Sequence, residues 1–125
     1  MIKHHHFIGR FEVTSPPLEG DQGYLESWMF DLIEAQGMKV LSGPHVAFVA
    51  NPGNRGLTGV AIIETSHVAV HIWDETSPAL VQLDFYTCGT LHKDLILKAI
   101  APWGVAKHAF LVLDRETDVV AMETA

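Results

Sequence analysis

Cysteine and basic residues are both scarce in this 125-residue sequence, which has a single cysteine, Cys88. One cysteine excludes an intrachain disulfide and the zinc or iron–sulfur sites that are built on cysteine pairs. Eight Lys and Arg residues stand against fifteen Asp and Glu residues, a formal net charge of −7. That balance argues against a nucleic-acid partner, because phosphate binding needs clustered cations. It suits a cationic small molecule, and it also suits simple solubility.

Long hydrophobic runs are missing as well. No apolar stretch of the sequence approaches the roughly 20 residues that cross a bilayer. The N-terminal residues MIKHHHFIGRF are too short and too polar for a secretory signal. Apolar residues nevertheless make up 48% of the chain, which is enough to form a core. We therefore expect one cytoplasmic domain over residues 1–125.

The pattern of apolar residues predicts an α+β fold. One helix is predicted over 21–36, from Asp21 as its cap to Gly37 as its stop, and another over 93–100, ended by Pro102. Strands are predicted over 7–13, 38–51, 57–64, 67–73 and 79–87, with a last strand in 107–122 that turns near 114–118. Groups of strands with helices between them indicate a two-layer sandwich, an antiparallel sheet with both helices packed on one face.

Most of the reactive side chains lie in one stretch, ETSHVAVHIWDETSPALVQLDFYTCG, residues 64–89. In the strand 67–73, the period of two places His67, His71 and Trp73 on one face and apolar side chains on the other. The next strand has a polar face of its own, formed by Gln82, Asp84, Tyr86 and Cys88. If the two strands pair as a hairpin, imidazole, carboxylate and thiol groups lie side by side.

Several chemistries fit such a cluster. Two imidazoles four residues apart on a strand lie about 13 Å from each other, too far to share one metal ion. We therefore expect no metal, although a metal-dependent enzyme that uses these histidines stays open. A Cys–His nucleophilic pair is a second option, without a supporting context around the cysteine. Otherwise the histidines are hydrogen-bonded residues of a half-buried strand. The metal option would use His67, His71, Asp84 and Cys88.

The order of these residues resembles the S-adenosylmethionine decarboxylase proenzymes of bacteria and archaea. In that family a Glu-Ser-His step is followed by HTWPE and by a strand that ends in DxFTCG. The corresponding segments here are TSHVAVHIWDE and LDFYTCG. The resemblance covers residues 5–115, with the specific motifs in 57–89. It implies an enzyme of polyamine synthesis, a carboxy-lyase, that forms homodimers with active sites at the subunit interface.

The resemblance also implies that the chain cuts itself between Thr65 and Ser66. The products are a β chain of residues 1–65 and an α chain of residues 66–125 that begins with a pyruvoyl group made from the serine. A pyruvoyl ketone condenses with the substrate amine and accepts electrons as carbon dioxide leaves. The expected cofactor is therefore this covalent pyruvoyl group.

Roles for individual residues follow from the same resemblance. His71 is the base for the elimination step, and Thr58, in the place of a family serine, assists processing. Cys88 returns a proton to the decarboxylated substrate. The substrate-binding residues that the resemblance indicates are Glu75 for the ribose hydroxyls, Phe48 for the adenine, Trp73 and His67.

Besides Thr58, two residues and one loop depart from the family pattern. Thr65 stands where the family has glutamate, Asp74 stands where it has proline, and the loop at 51–56 is longer than usual. S-adenosylmethionine is the favoured substrate, and another amino acid such as ornithine or arginine is the alternative. A further alternative is a nucleoside- or amine-binding module of the same fold in which Ser66 stays intact.

Overall fold

A computed structural model of the protein describes residues 3–125. Within them, seven strands form one sheet in the order β2-β3-β4-β5-β1-β6-β7, and every pairing is antiparallel. The strands are β1 (His5–Val13), β2 (Val40–Val49), β3 (Gly56–Ile63), β4 (Ser66–Trp73), β5 (Ala79–Thr87), β6 (Val105–Asp114) and β7 (Val120–Thr124). The helices are α1 (Gln22–Ala35) and α2 (Lys93–Ile100), with single 3-10 turns at Glu19–Asp21 and Ala101–Trp103.

One face of the sheet is buried under the two helices. Alternate residues of the strands point toward it, as the period of two requires, and each large apolar side chain buried there contributes about 1.5–3 kcal/mol. The predicted two-layer α+β sandwich is confirmed. The fully buried side chains include Phe7, Phe11, Val68, Val70, Leu83 and Phe85 from the strands, and Leu25, Met29, Ile33, Ile96 and Ile100 from the helices.

The opposite face of the sheet carries neither α1 nor α2, and we call it the open face. Its apolar side chains Ile8, Val60, Ile62 and Leu111 are 38–52% exposed. The polar residues predicted on β4 and β5 share this face with them. The imidazoles of β4 and the polar side chains of β5 therefore lie on an accessible surface of the sheet, whereas Ser66 is in register with the buried residues Ile63 and Thr87.

The predicted elements agree with the structure apart from a few ends. Asp21 is the N-cap residue of α1 as expected, but its side chain makes no cap hydrogen bond to the helix. Its Oδ2 instead accepts a hydrogen bond from the Leu18 N–H at 2.8 Å and holds the preceding 3-10 turn. Gly37 ends the helix as predicted, with φ of +77°. The expected last strand is two paired strands, β6 and β7, joined through the predicted turn. Within residues 3–125, no helix is long and apolar enough to span a membrane.

Candidate active site on the open face

The hairpin predicted from the central stretch is present. Strands β4 and β5 pair with His67 opposite Tyr86 and His71 opposite Gln82. The rings of His67 and Tyr86 lie with centroids 5.7 Å apart. The polar faces of the two strands therefore lie side by side on the open face, as the sequence predicted.

Ser66 begins β4 directly after the two-residue turn that follows β3. It lies opposite Ile63 on one side and Thr87 on the other. Its φ of +133° is the one positive value recorded for a non-glycine residue within 3–125. Backbone conformations of this kind cost of order 1–3 kcal/mol and persist where the surrounding structure imposes them. Backbone strain therefore coincides with the predicted cleavage point.

The carbonyl of Thr65, which belongs to the peptide bond predicted to be cut, has a fixed hydrogen-bond donor. Its oxygen accepts a hydrogen bond from the Cys88 N–H at 2.8 Å. A backbone N–H aimed at a carbonyl stabilises the negative charge that develops on the oxygen during nucleophilic attack. The Thr65 hydroxyl next to it is buried and has no partner among the described residues. The same arrangement places Cys88 beside Ser66, because Ser66 and Thr87 are directly opposite.

The structure brings Thr58 and His71 together across β3 and β4. They are directly opposite in the register, and Thr58 Oγ1 is hydrogen-bonded to His71 Nδ1 at 3.3 Å. The imidazole also stacks on the Trp73 ring with centroids 5.9 Å apart. If the hydroxyl accepts this bond from Nδ1–H, Nε2 is the basic nitrogen of the ring. The hydroxyl and the indole thus orient a half-buried imidazole.

Glu75, the residue predicted to bind ribose, lies against the loop of residues 51–56. One of its oxygens, Oε1, accepts hydrogen bonds from the Gly53 N–H at 2.7 Å and from the Arg55 N–H at 3.2 Å. These are charge-assisted bonds if the carboxylate is ionised. The loop therefore holds the carboxylate at the end of the hairpin.

Trp73 and Phe48, two more residues of the predicted substrate site, touch the same loop. The Trp73 indole N–H donates to Asn54 Oδ1 at 2.8 Å. The Arg55 guanidinium lies over the Phe48 ring, 5.7 Å from its centroid, and its Nε lies 3.5 Å from Asp74 Oδ1. All three substrate-binding residues at this end of the sheet thus contact residues 51–56, although Trp73 lies on the open face and Phe48, opposite Leu57, packs against the core.

A second polar group on the open face involves the N-terminal histidines, to which the sequence analysis gave no role. The His6 Nε2–H donates to Asp84 Oδ1 at 3.0 Å, and His4 Nδ1 is hydrogen-bonded to the Tyr86 hydroxyl at 3.2 Å. The Arg115 guanidinium lies over the Tyr86 ring at 4.3 Å. The sequence could have indicated this group, because side chains alternate along a strand and His4 and His6 therefore lie on the same face.

Burial changes the acid–base behaviour of His6. Loss of solvation lowers its pKa below the ordinary value of 6.5, and the nearby Arg115 and His67 lower it further. The hydrogen bond and the negative charge of Asp84 act in the opposite direction but do not overcome the burial. His6 is therefore neutral at pH 7.

The histidines of the central stretch do not gather into a metal centre within residues 3–125. Within the described residues, one group of potential metal ligands has its ligand atoms within 4.8 Å of one another, and this group lies outside the central stretch. Its members are His5, Asp114 and Glu116. The set considered from the sequence does not converge in this way; it consists of His67, His71, Asp84 and Cys88.

Comparison with known proteins finds relatives that carry one name. The S-adenosylmethionine decarboxylase proenzymes of Pyrococcus horikoshii and Pyrococcus abyssi are each 31% identical over 85 residues, 68% of this chain. The corresponding proenzyme of Archaeoglobus fulgidus is 29% identical over 93 residues, which cover 74% of this chain and 78% of that protein. The match spans 57% of the length of each Pyrococcus relative.

The fold has a solved counterpart. The crystal structure of the adenosylmethionine decarboxylase from Aquifex aeolicus VF5 superposes with a TM-score of 0.65 and covers 99% of this chain and 98% of its own, at 18% identity. The family model described as S-adenosylmethionine decarboxylase matches residues 5–115. Together with the Ser-His, HxW and TCG segments arranged around one sheet hairpin, this match shows that the chain belongs to the S-adenosylmethionine decarboxylase family.

Proposed function

We propose that this chain is a proenzyme that cuts itself between Thr65 and Ser66 and then decarboxylates S-adenosylmethionine with the resulting pyruvoyl group. One observation carries the proposal. At the position where the family pattern expects cleavage, Ser66 has a strained φ of +133°, and the preceding carbonyl accepts the Cys88 N–H at 2.8 Å. A strained nucleophile beside a polarised carbonyl is what peptide-bond cleavage needs.

The residues present fit the formation of a pyruvoyl group. In this proposal Ser66 Oγ attacks the Thr65 carbonyl carbon, a C–O ester bond forms, and the C–N peptide bond breaks. The hydroxyl proton passes to the released amine. The oxyanion formed during attack is stabilised by the Cys88 N–H, and the chain relaxes from its strained φ. The Ser66 α-proton is then removed and the Thr65 carboxylate leaves. The family resemblance gives this role to His71, oriented by Thr58. His71 lies five residues from Ser66 along β4, about 16 Å in one protomer, so in this proposal it acts across the interface of the homodimer. The dehydroalanine takes up water and releases ammonia, which leaves the pyruvoyl group.

The pyruvoyl group supplies an electron-accepting ketone for decarboxylation. The chain's own residues do the rest. Cys88 lies beside Ser66, where its thiol can return a proton to the substrate carbon. Glu75 and Trp73 bind the nucleoside at the far end of the hairpin, with Phe48 at the neighbouring edge of the sheet, where it packs partly against the core. Trp73 and His67 lie on the open face. Trp73 is seven residues from Ser66 along β4, about 23 Å, so in this proposal one substrate contacts both ends of the site only across the homodimer interface. A net charge of −7 favours the approach of a sulfonium cation.

The intact mass of the denatured protein tests the first step. We expect two fragments divided at Thr65–Ser66, with the C-terminal fragment carrying the mass change of pyruvoyl formation. Ser66→Ala should give one uncut, inactive chain, whereas the control Ser77→Ala should be cut as the wild type is. A single wild-type chain near 13.8 kDa after long incubation, or full activity of Ser66→Ala, would overturn the proposal.

Release of carbon dioxide from labelled substrate tests the second step. Cys88→Ser should still be cut, because the contact of residue 88 with Thr65 is made through its backbone. Its turnover of S-adenosylmethionine should fall by about 10²-fold, the usual size of an acid–base contribution. Normal turnover by Cys88→Ser would remove the thiol from the mechanism.

A second substrate class is favoured by one observation. One oxygen of the Glu75 carboxylate is already hydrogen-bonded to residues 51–56, and an amino acid without a nucleoside, such as ornithine or arginine, does not need that carboxylate. Parallel assays with all three amino acids decide between the two classes. Turnover of ornithine or arginine alone would replace S-adenosylmethionine as the proposed substrate.

The assembly that we propose is a homodimer formed through the open face. Four apolar side chains of that face are 38–52% exposed, and packing two open faces together removes them from water. Light scattering should show twice the protomer mass, and Ile62→Asp should shift it toward the protomer. Val119→Asp, which changes an apolar residue before β7, is the control. A monomeric wild type would contradict the homodimer.

A further inference from the structure

We propose that residues 51–56 form a gate over the nucleoside end of the substrate site, and that Arg55 determines how readily nucleoside substrates enter. The inference rests on the proposed function in one respect, since it takes Glu75 and Phe48 as the groups that bind ribose and adenine. The Glu75 carboxylate and the Trp73 indole N–H, both expected to bind the nucleoside, are hydrogen-bonded to the gate instead.

The gate occupies the carboxylate that ribose would use. Glu75 Oε1 accepts the N–H groups of Gly53 and Arg55 at 2.7 and 3.2 Å. Two ribose hydroxyls would donate to the same carboxylate. Ribose hydroxyls that bind Oε1 must displace the two amides, and exchanging one pair of donors for another gains little net free energy.

Arg55 covers the aromatic ring that adenine would use. Its guanidinium lies 5.7 Å from the Phe48 centroid, a distance at which a cation is attracted to the face of a ring. A guanidinium in this position also repels a sulfonium substrate. Adenine can therefore stack on this face of the ring only after the guanidinium has moved.

Asp74 holds Arg55 in place with both its backbone and its side chain. The Asp74 N–H donates to the Arg55 carbonyl oxygen at 3.1 Å, and Asp74 Oδ1 lies 3.5 Å from Arg55 Nε. The Asp74 side chain is only 4% exposed, whereas the Arg55 side chain is 51% exposed, so a buried carboxylate holds a guanidinium that solvent can reach. The family pattern has proline at this position, which has neither an N–H nor a carboxylate to offer. The closure of the gate is thus a property of this sequence.

The rest of the loop is built to move as a unit. Residues 51–55 are exposed, so the loop can swing outward without opening the core. Its polar contact with Trp73, through Asn54 Oδ1, is a single hydrogen bond. Gly53, with φ of +87°, and Gly56, with φ of +147°, supply backbone conformations that other residues rarely adopt. The glycines lie within and at the end of the segment that must swing.

The kinetic test compares KM with kcat for S-adenosylmethionine. Arg55→Ala removes the guanidinium from Phe48 and Asp74, which shifts the loop toward its open state and lowers the apparent KM. We expect a three- to tenfold fall in KM, with a smaller change in kcat and unchanged self-cleavage. Asp74→Asn, which keeps the backbone N–H, should lower KM less. Lys107→Ala, which removes an exposed cation from β6, is the control. A rise in KM for Arg55→Ala would show that Arg55 binds substrate, and would overturn the gate.

A second measurement does not depend on turnover. In the uncut Ser66→Ala protein, the amides of Gly53 and Arg55 should be protected from hydrogen exchange, and 5′-methylthioadenosine should release both. The indole N–H resonance of Trp73 should move in the same titration. Failure of self-cleavage or of decarboxylation would overturn the proposed function but leave this measurement interpretable. Binding that leaves both amides protected overturns the gate alone. No binding of the nucleoside at millimolar concentration overturns both the gate and the nucleoside site on which it rests.

Discussion

Ser66 combines a nucleophilic hydroxyl with a backbone that suits glycine better than serine. At a φ of +133°, the Cβ of any residue other than glycine lies close to neighbouring backbone atoms. The fold maintains this conformation because β4 must begin at Ser66 to pair with both β3 and β5. Cleavage would release the strain along with the peptide bond.

Two substitutions that both abolish cleavage isolate this strain. Ser66→Gly removes the Cβ together with the hydroxyl, whereas Ser66→Ala keeps the Cβ. We expect the uncut glycine variant to have the larger free energy of unfolding, by about 1 kcal/mol, because glycine accepts positive φ without steric cost. Urea denaturation of the two uncut proteins measures the difference. Equal stability, or a more stable alanine variant, would show that Ser66 is not strained.

His6 gives the protein a pH dependence whose direction is fixed by burial. Its pKa is lower in the folded chain than its ordinary value of 6.5, so the unfolded chain binds the proton more readily. The contribution of His6 to stability is therefore fully present above pH 6.5 and is lost as the pH falls through the folded pKa. The groups that face it are Asp84, Arg115 and His67.

The free energy of unfolding between pH 5 and 8 should accordingly fall on acidification more steeply for the wild type than for His6→Gln. His92→Gln, which replaces an exposed histidine before α2, controls for the loss of one imidazole. Parallel curves for the wild type and His6→Gln would contradict the burial effect. Both proteins should also carry Ser66→Ala, so that each sample contains only the uncut chain and the two curves can be compared.

At the scale of elements, short polar segments decide where each strand begins. Strand β5 and helix α2 have the bounds expected from the sequence, because Pro78 and Pro102 interrupt the apolar pattern beside them. Strand β2 is shorter than expected, Val40–Val49, and its register with β3 shifts near Gly43-Pro44. Local composition predicted the type of each element well, since alternation along a strand requires no knowledge of its neighbours.

At Gly56, the packing of two strands requires glycine, which the local sequence pattern does not indicate. It begins β3, and a Cβ added there would lie 1.8 Å from the Ile72 carbonyl oxygen of β4. Gly56→Ala should therefore lose several kcal/mol of stability, from backbone clash added to positive φ. Gly53→Ala is the matched control, because Gly53 also has positive φ but has open space around its Cα, and it should lose about 1 kcal/mol. Thermal unfolding of the two variants compares these costs; similar losses would contradict the clash.

At the scale of the whole molecule, the sheet order interleaves the two expected products of cleavage. Residues 1–65 supply β1, β2 and β3, and residues 66–125 supply the other four strands. The sheet places β1 between β5 and β6, and β3 beside β4. Three strand pairings therefore join the two fragments after the peptide bond is cut.

The cleaved protein should thus remain one particle in the absence of denaturant. Size exclusion should give the same elution volume for cleaved wild type and uncut Ser66→Ala, while denaturing electrophoresis separates two bands only in the wild type. Three ladders of hydrogen bonds and the shared core supply the cohesion. Fragments that separate under native conditions would contradict the interleaved sheet.

The sequence by itself determined the element types, the polar hairpin, and the order of Ser66, His71 and Cys88. These features depend on residue type and on the alternation of side chains along a strand, and both can be read from a short segment of the sequence. The motif also indicated a family, which the matched model over residues 5–115 bears out.

Only the tertiary structure decided the contacts between residues far apart in the chain. Three contacts join segments about 20 to 80 residues apart in the sequence. They are the hydrogen bond between Cys88 and Thr65, the hydrogen bond between His6 and Asp84, and the hydrogen bonds of residues 51–56 with Glu75. Such contacts depend on which strands become neighbours, and sheet order is set by burial of the whole apolar face. For that reason the backbone strain at Ser66, and the closure of residues 51–56 over Glu75, could be seen only in the folded chain.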